Sequence, residues 1–173
     1  MAASTIPNEL IEKDRIEQGT RPEEKIRKRW SSLTNMYARW ALGAAFLSSV
    51  ADRFGLWGKY GQKNVSWGDF GHFTQYVSMV NSFFPARVIP SVAWIATIAE
   101  TVFGLALIMG IYRRIVTIGS AGLLFLFALA MSISFGVKSA IDYSVFSASA
   151  AALLLFVASQ NIAGTIGTAK STD

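Results

Sequence analysis

The sequence predicts an all-α, polytopic membrane protein: a four-transmembrane-helix bundle with an amphipathic helix in its first outer loop and a helical N-terminal arm. Two observations carry this expectation. Of 173 residues, 52% are hydrophobic and only 16% are charged, where a soluble domain carries about 25%. The charges also crowd into one end. The first 30 residues hold 13 of the 27 Lys, Arg, Asp and Glu side chains, and long apolar runs follow from Met36 onward.

The N-terminal arm, residues 1–35, reads as two helical pieces. "PNELIEKDRIEQ" has a proline suited to a first helical turn and ends before Gly19. "TRPEEKIRKRW" starts afresh, with Thr20 as a cap and Pro22 in the first turn. Lys25, Arg27, Lys28 and Arg29, followed by Trp30, form a basic cluster beside the first apolar run. Such a cluster is a positive-inside topogenic signal, and it also suits docking to anionic lipid or a partner. The arm lacks an early apolar region and a small-residue cleavage site, so the first span is expected to act as an uncleaved anchor.

The membrane domain, residues 36–162, holds four stretches that reach the roughly 20 residues a helix needs to cross a hydrocarbon core. They lie at 37–57, 89–111, 115–135 and 144–162. The first is the least clean, because it contains Arg39, Asp52 and Arg53. The fourth is rich in small residues, with Ser144, Ala148 and Ala151 on one stripe, and Gly119 and Gly122 play a similar part in the third. Small residues let helices approach closely where water no longer drives them together, which predicts a tight bundle and not a wide pore. Residues 163–173 are a short tail.

The outer loop between the first two spans is too long for a simple connector. Within it, Phe70, Phe73, Val77, Val80 and Phe84 recur at spacings of three and four, Asp69 is placed to cap the start, and Pro85 follows the end. This is an amphipathic helix, expected as a surface helix, a lid over a bundle cavity or a packed connector. Trp57, Trp67 and Trp94 read as an aromatic belt at the outer boundary.

With both termini in the cytoplasm, the inner side carries ten Lys and Arg and the outer side four. The asymmetry predicts a multi-pass protein of the bacterial cytoplasmic (inner) membrane with cytoplasmic termini, and the Arg113–Arg114 turn anchors the second and third spans inside.

Glu100 sits at the centre of the second span, roughly 15 Å from either edge at a rise of about 1.5 Å per residue. A lone carboxylate there is costly, so it must be paired or protonated. Arg39, Gly43, Phe46, Val50 and Arg53 share one stripe of the first span, and Asp52 projects elsewhere. Glu100 is therefore expected to pair with Arg39 or Arg53. These three residues make a candidate intramembrane polar site. It reads first as a structural ion pair, then as a site for a quinone headgroup or other small ligand, and last as a proton or ion relay, since only one acid lies deep. Asp52, Asp69 and His72 are secondary candidates, since the Asp69–His72 spacing suits an oriented imidazole.

Other chemistry is excluded or unsupported. With no cysteine, the chain offers no disulfide, thiol catalysis or Cys-ligated metal, and its single His cannot form a bis-His haem site. No nucleotide-binding, nucleophile-elbow or zinc motif is present, so no catalytic residue and no metal ligand are assigned. The net charge of +5 sits mostly beside apolar runs, which matches lipid headgroups and not nucleic acid.

"ARWALGAAFLSSVADRFG", "IAETVFGLALIMGIYRRIVTIGSAGLLFLFALAM" and "SFGVKSAIDYSVFSASAAALLLF" together resemble the DoxX family of small four-helix membrane proteins. The resemblance rests on Arg39, on Glu100 followed by Gly104 and Gly110, on Arg113–Arg114, and on the "DYSVF" entry to the last span. It departs at "VADRFG", where relatives have a glycine and a lysine. Such a resemblance implies a membrane subunit of a larger assembly with quinone-linked redox chemistry, and quinone as the cofactor where none is otherwise evident. The rival expectations are a purely structural accessory subunit and a small-molecule or ion carrier. Either way, the partners are membrane lipids and other membrane subunits.

Overall fold

The computed structural model describes residues 8–9 and 22–169, and it is helical throughout, with no strand among the described residues. From residue 22 onward the described residues form six α-helices in turn: α1 (Pro22–Arg53), α2 (Phe70–Val80), α3 (Ile89–Met109, entered through a single tight turn at Ala86–Val88), α4 (Arg113–Phe135), α5 (Val137–Asp142) and α6 (Val145–Ala169). The chain divides into two compact units, Met1–Tyr37 and Ala38–Asp173.

In the first unit, Pro22 opens α1, where a missing N–H costs nothing. Lys25, Arg27, Lys28, Arg29 and Trp30 are all exposed along it. The expected earlier helical piece and the Thr20 cap lie outside the described residues, apart from residues 8–9.

The second unit is organised by small residues. One core cluster joins Leu42 and Phe46 of α1, Ala106 and Leu107 of α3, Val116 and Ala121 of α4, and Ala152 and Leu155 of α6. Ala93, Ala128 and Ala152 are wholly buried, as is Ser120. Many large side chains point the other way: Ile95 is 67% exposed, Leu126 61% and Leu154 70%. A helix pack that is small inside and large outside is inverted relative to a water-soluble core, and it leaves an apolar belt that water does not tolerate. By length and composition two helical stretches can cross a membrane, Ala86–Met109 and Arg113–Phe135, and Val145–Gln160 is a shorter apolar run.

Helix α1 runs antiparallel to α3, and the two meet at glycines. A Cβ on Gly43 would lie 2.9 Å from the Gly104 carbonyl oxygen, and one on Gly104 would lie 3.2 Å from that of Gly43 and 2.9 Å from Leu47. Gly119 of α4 likewise makes room for the Phe103 ring. Gly122, expected to do the same, faces open space. The α4–α6 contact is closed by a hydrogen bond from Ser149 Oγ to the Ala121 carbonyl, 2.8 Å. Of the expected small stripe, Ala148 and Ala151 do pack on the core, whereas Ser144 lies just before α6 at φ 55°.

The loop helix α2 forms where its pattern placed it. Asp69 caps it, its Oδ1 accepting from the His72 N–H at 2.9 Å. Its apolar face is covered by protein: Phe73 and Val77 pack on Ile89 and Ala93, and Val80 on Ala128, Met131 and Ala140. Phe84 lies beyond the helix end and is exposed. The short helix α5 was not anticipated, and the last helix continues beyond the expected span to Ala169.

The glycine contact gives a direct test. Gly104→Leu should lower the stability of the purified protein by about 1–3 kcal/mol, the usual cost of overpacking. Gly122→Ala, with nothing within 4 Å, should leave the thermal unfolding midpoint in detergent unchanged.

Candidate functional site

Antiparallel packing of α1 on α3 brings Arg53 level with Glu100. Arg53 Nη2 lies 2.7 Å from both Glu100 carboxylate oxygens, and each residue is 2% exposed. The remaining contacts come from one helical turn away on each helix. Arg53 Nη1 donates to Thr97 Oγ1 at 2.8 Å, and Nη2 also reaches Ser49 Oγ at 3.2 Å. The Thr97 hydroxyl donates in turn to the Ala93 carbonyl, 2.8 Å. The guanidinium face lies on the Phe73 ring at 3.8 Å, with Trp67 at 5.4 Å. A delocalised cation on aromatic faces is well suited to such a dry site.

Asp52, next in sequence, turns away from this pair. Its Oδ2 accepts from the backbone N–H groups of Ser66 and Trp67, at 2.8 and 3.1 Å. It ties the returning loop to the end of α1, which places Trp67 against Arg53. Trp67 is therefore a packing residue of the site. Trp57 and Trp94 stay exposed.

Arg39, the other expected partner of Glu100, serves the opposite end of α3. Its Nε donates to the Leu107 carbonyl at 3.0 Å and its Nη2 to that of Ile108 at 3.3 Å. The last carbonyls of a helix have no partner within it, and a cation there also meets the negative end of the helix dipole. Gly110 ends α3 at φ 73°, and a Cβ there would run into the Arg39 guanidinium. The site thus unites Arg53 and Glu100 and leaves Arg39 apart.

Asp69 and His72 form a separate surface pair. His72 Nδ1 lies 2.7 Å from Asp69 Oδ2, and the Tyr60 ring stacks on the imidazole at 3.8 Å. Hydrogen bonds from the His72 backbone and ring hold the Asp69 carboxyl below its ordinary pKa. Among the described residues no cluster of three or more metal-ligating side chains occurs.

A cavity of about 420 Å³ opens beside the ion pair. Arg53, Glu100 and Ser49 form one end, and Tyr76, Asn81 and Tyr143 add polar groups from other elements. Ser66 also lines it, and most of the rest is apolar, including Phe46, Leu124, Phe127 and Met131. Burial, with Tyr143 adding to it, raises the Tyr76 hydroxyl above its ordinary pKa.

Thr97 and Ser49 were overlooked in the sequence, although each carries a signal. Thr97 lies three residues before Glu100 and Ser49 four before Arg53, so each shares a helix face with its charge. Tyr76, Phe127 and Tyr143 come from three separate parts of the chain and carry no comparable signal.

Residues 29–142 match the family described as methylamine utilisation protein MauE. The chain belongs to that family. The match spans α1 from Arg29 through α5 and includes both Arg53 and Glu100. No curated protein and no solved structure matches the chain. MauE is a membrane protein family, in keeping with the apolar helices described above.

This corrects the resemblance to DoxX. The features that carried it were helix-packing glycines, a buried carboxylate and a basic turn. Packing glycines and a basic turn are common to small helix bundles in lipid, so they report the solvent and not the lineage. The quinone assignment rested on that resemblance and loses its support.

The buried pair predicts a distinctive mutational pattern. Glu100→Gln should destabilise the protein by roughly 3–5 kcal/mol, because Arg53 is left buried without its counter-charge. Adding Arg53→Met should recover most of that loss. A thermal denaturation cycle in detergent over the two single variants and the double variant measures both.

Proposed function

We propose that the protein is a four-span accessory subunit of the bacterial cytoplasmic membrane that serves a methylamine utilisation system. The observation that carries the reading is the family match over residues 29–142. The four-span reading is supported by the core that α1, α3, α4 and α6 share and by their outward apolar side chains. Partner proteins in the membrane accord with a chain that has no catalytic motif and no thiol of its own.

The Lys and Arg distribution favours cytoplasmic termini. That orientation puts the loop helix α2 and the short helix α5 on the outer side.

Deleting the gene should abolish growth on methylamine as nitrogen source and leave growth on ammonium normal, with a plasmid copy restoring it. Unchanged growth on methylamine overturns the assignment. Because the chain lacks cysteine, single introduced thiols report orientation cleanly. In intact cells, a membrane-impermeant maleimide should label Lys63→Cys and spare Ala3→Cys.

A further inference from the structure

We propose that the cavity beside Arg53 and Glu100 binds an uncharged, lipid-soluble molecule that presents a polar oxygen to the hydrogen-bonding groups of its wall. The inference rests on the membrane reading above and not on the methylamine assignment.

Size is the first argument. At about 420 Å³, the cavity falls in the range of small-molecule pockets, about 300–1,000 Å³. It far exceeds the roughly 30 Å³ that one water occupies in the liquid. Phe46, Leu124, Phe127 and Met131 offer water no hydrogen bonds, so these walls favour an apolar body as occupant.

The second argument is where the polar groups of the wall lie. Tyr76, Asn81 and Tyr143 line the cavity and can hydrogen-bond an oxygen held in it, whereas the Arg53 Nε, although without a partner, is sealed off from it.

Charge sets the class. Arg53 and Glu100 neutralise one another at 2.7 Å. A carboxylate ligand would place a second anion beside Glu100, and an ammonium ligand a second cation beside Arg53. Either leaves one charge uncompensated in a low-dielectric site. An uncharged molecule adds no such cost. Methylammonium fits neither the size nor the charge of this cavity, so its occupant is distinct from the amine after which the family is named. Ala45 and Tyr143 line the cavity and are also exposed, so it reaches the protein surface beside α1 and the start of α6.

The test uses the full chain in phosphatidylcholine nanodiscs, titrated with dodecanol brominated on the carbon next to its hydroxyl. Bromine quenches tryptophan at short range, and Trp67 lines the cavity next to Arg53. The difference between wild type and Trp67→Phe isolates its emission. The comparison probe is the same brominated chain ending in an ionised carboxylate. The alcohol should quench Trp67 saturably, with a half-saturation at least about tenfold below that of the carboxylate. Ala148→Phe, which puts a ring into the cavity, should remove the saturable component.

Equal quenching by both probes, or quenching by the alcohol that never saturates, overturns the proposal. So does saturable quenching that survives Ala148→Phe. If that variant does not fold, the comparison of the two probes on wild type decides alone. The readout is taken on purified protein, so it stands or falls independently of the growth phenotype.

Discussion

The ion pair between Arg53 and Glu100 is the constraint around which the second unit is arranged. Two opposite charges at 2.7 Å, each almost fully buried, tolerate little displacement, because separating them strands both in a medium that cannot solvate them. The pair therefore fixes the register of α1 against α3. The glycine contact at Gly43 and Gly104 lets the two backbones come near enough for it to close, and Arg39 clasps the far end of α3. These three contacts follow one another along the same antiparallel seam. A one-turn slip of either helix would move the guanidinium about 5.4 Å from its carboxylate.

The loop that follows α1 is recruited to the same centre. Asp52 holds Ser66 and Trp67 through their backbone N–H groups, and α2 then lays Phe73 over the guanidinium. What looks in outline like a long extramembrane connector is a cover that dries the ion pair. The cavity follows from this arrangement. Between the aromatic cover and the small residues of the helix seams, a space remains whose only charges are already paired with each other.

The membrane character of the chain was legible because it depends on composition, which needs no geometry. So were the Asp69 cap and the apolar face of α2, since both follow from spacing within one helix. The need for a partner to Glu100 was equally plain, and both arginines in reach were identified. Which one closes the pair was not legible, because Arg39 and Arg53 share one helical stripe and differ only in how far along α3 they fall. Gly122 shows the same limit. Its residue type suits close packing, yet no neighbour comes near it. The family resemblance misled for a related reason, since most of its signs are common to helices in lipid.

The sequence by itself therefore determined that this protein is helical and apolar, where the loop helix α2 and the long apolar helices α3 and α4 lie, and that one carboxylate among them needs a cation. Those properties are set by hydrophobicity, by helical period and by the cost of a buried charge, all of which are local or bulk quantities. Tertiary structure alone decided that Arg53 is the cation, that Arg39 is a helix clasp, and that Tyr76, Phe127 and Tyr143 share one cavity. Each of these depends on the register between helices far apart in the chain, which is fixed only when the whole set of side chains packs at once.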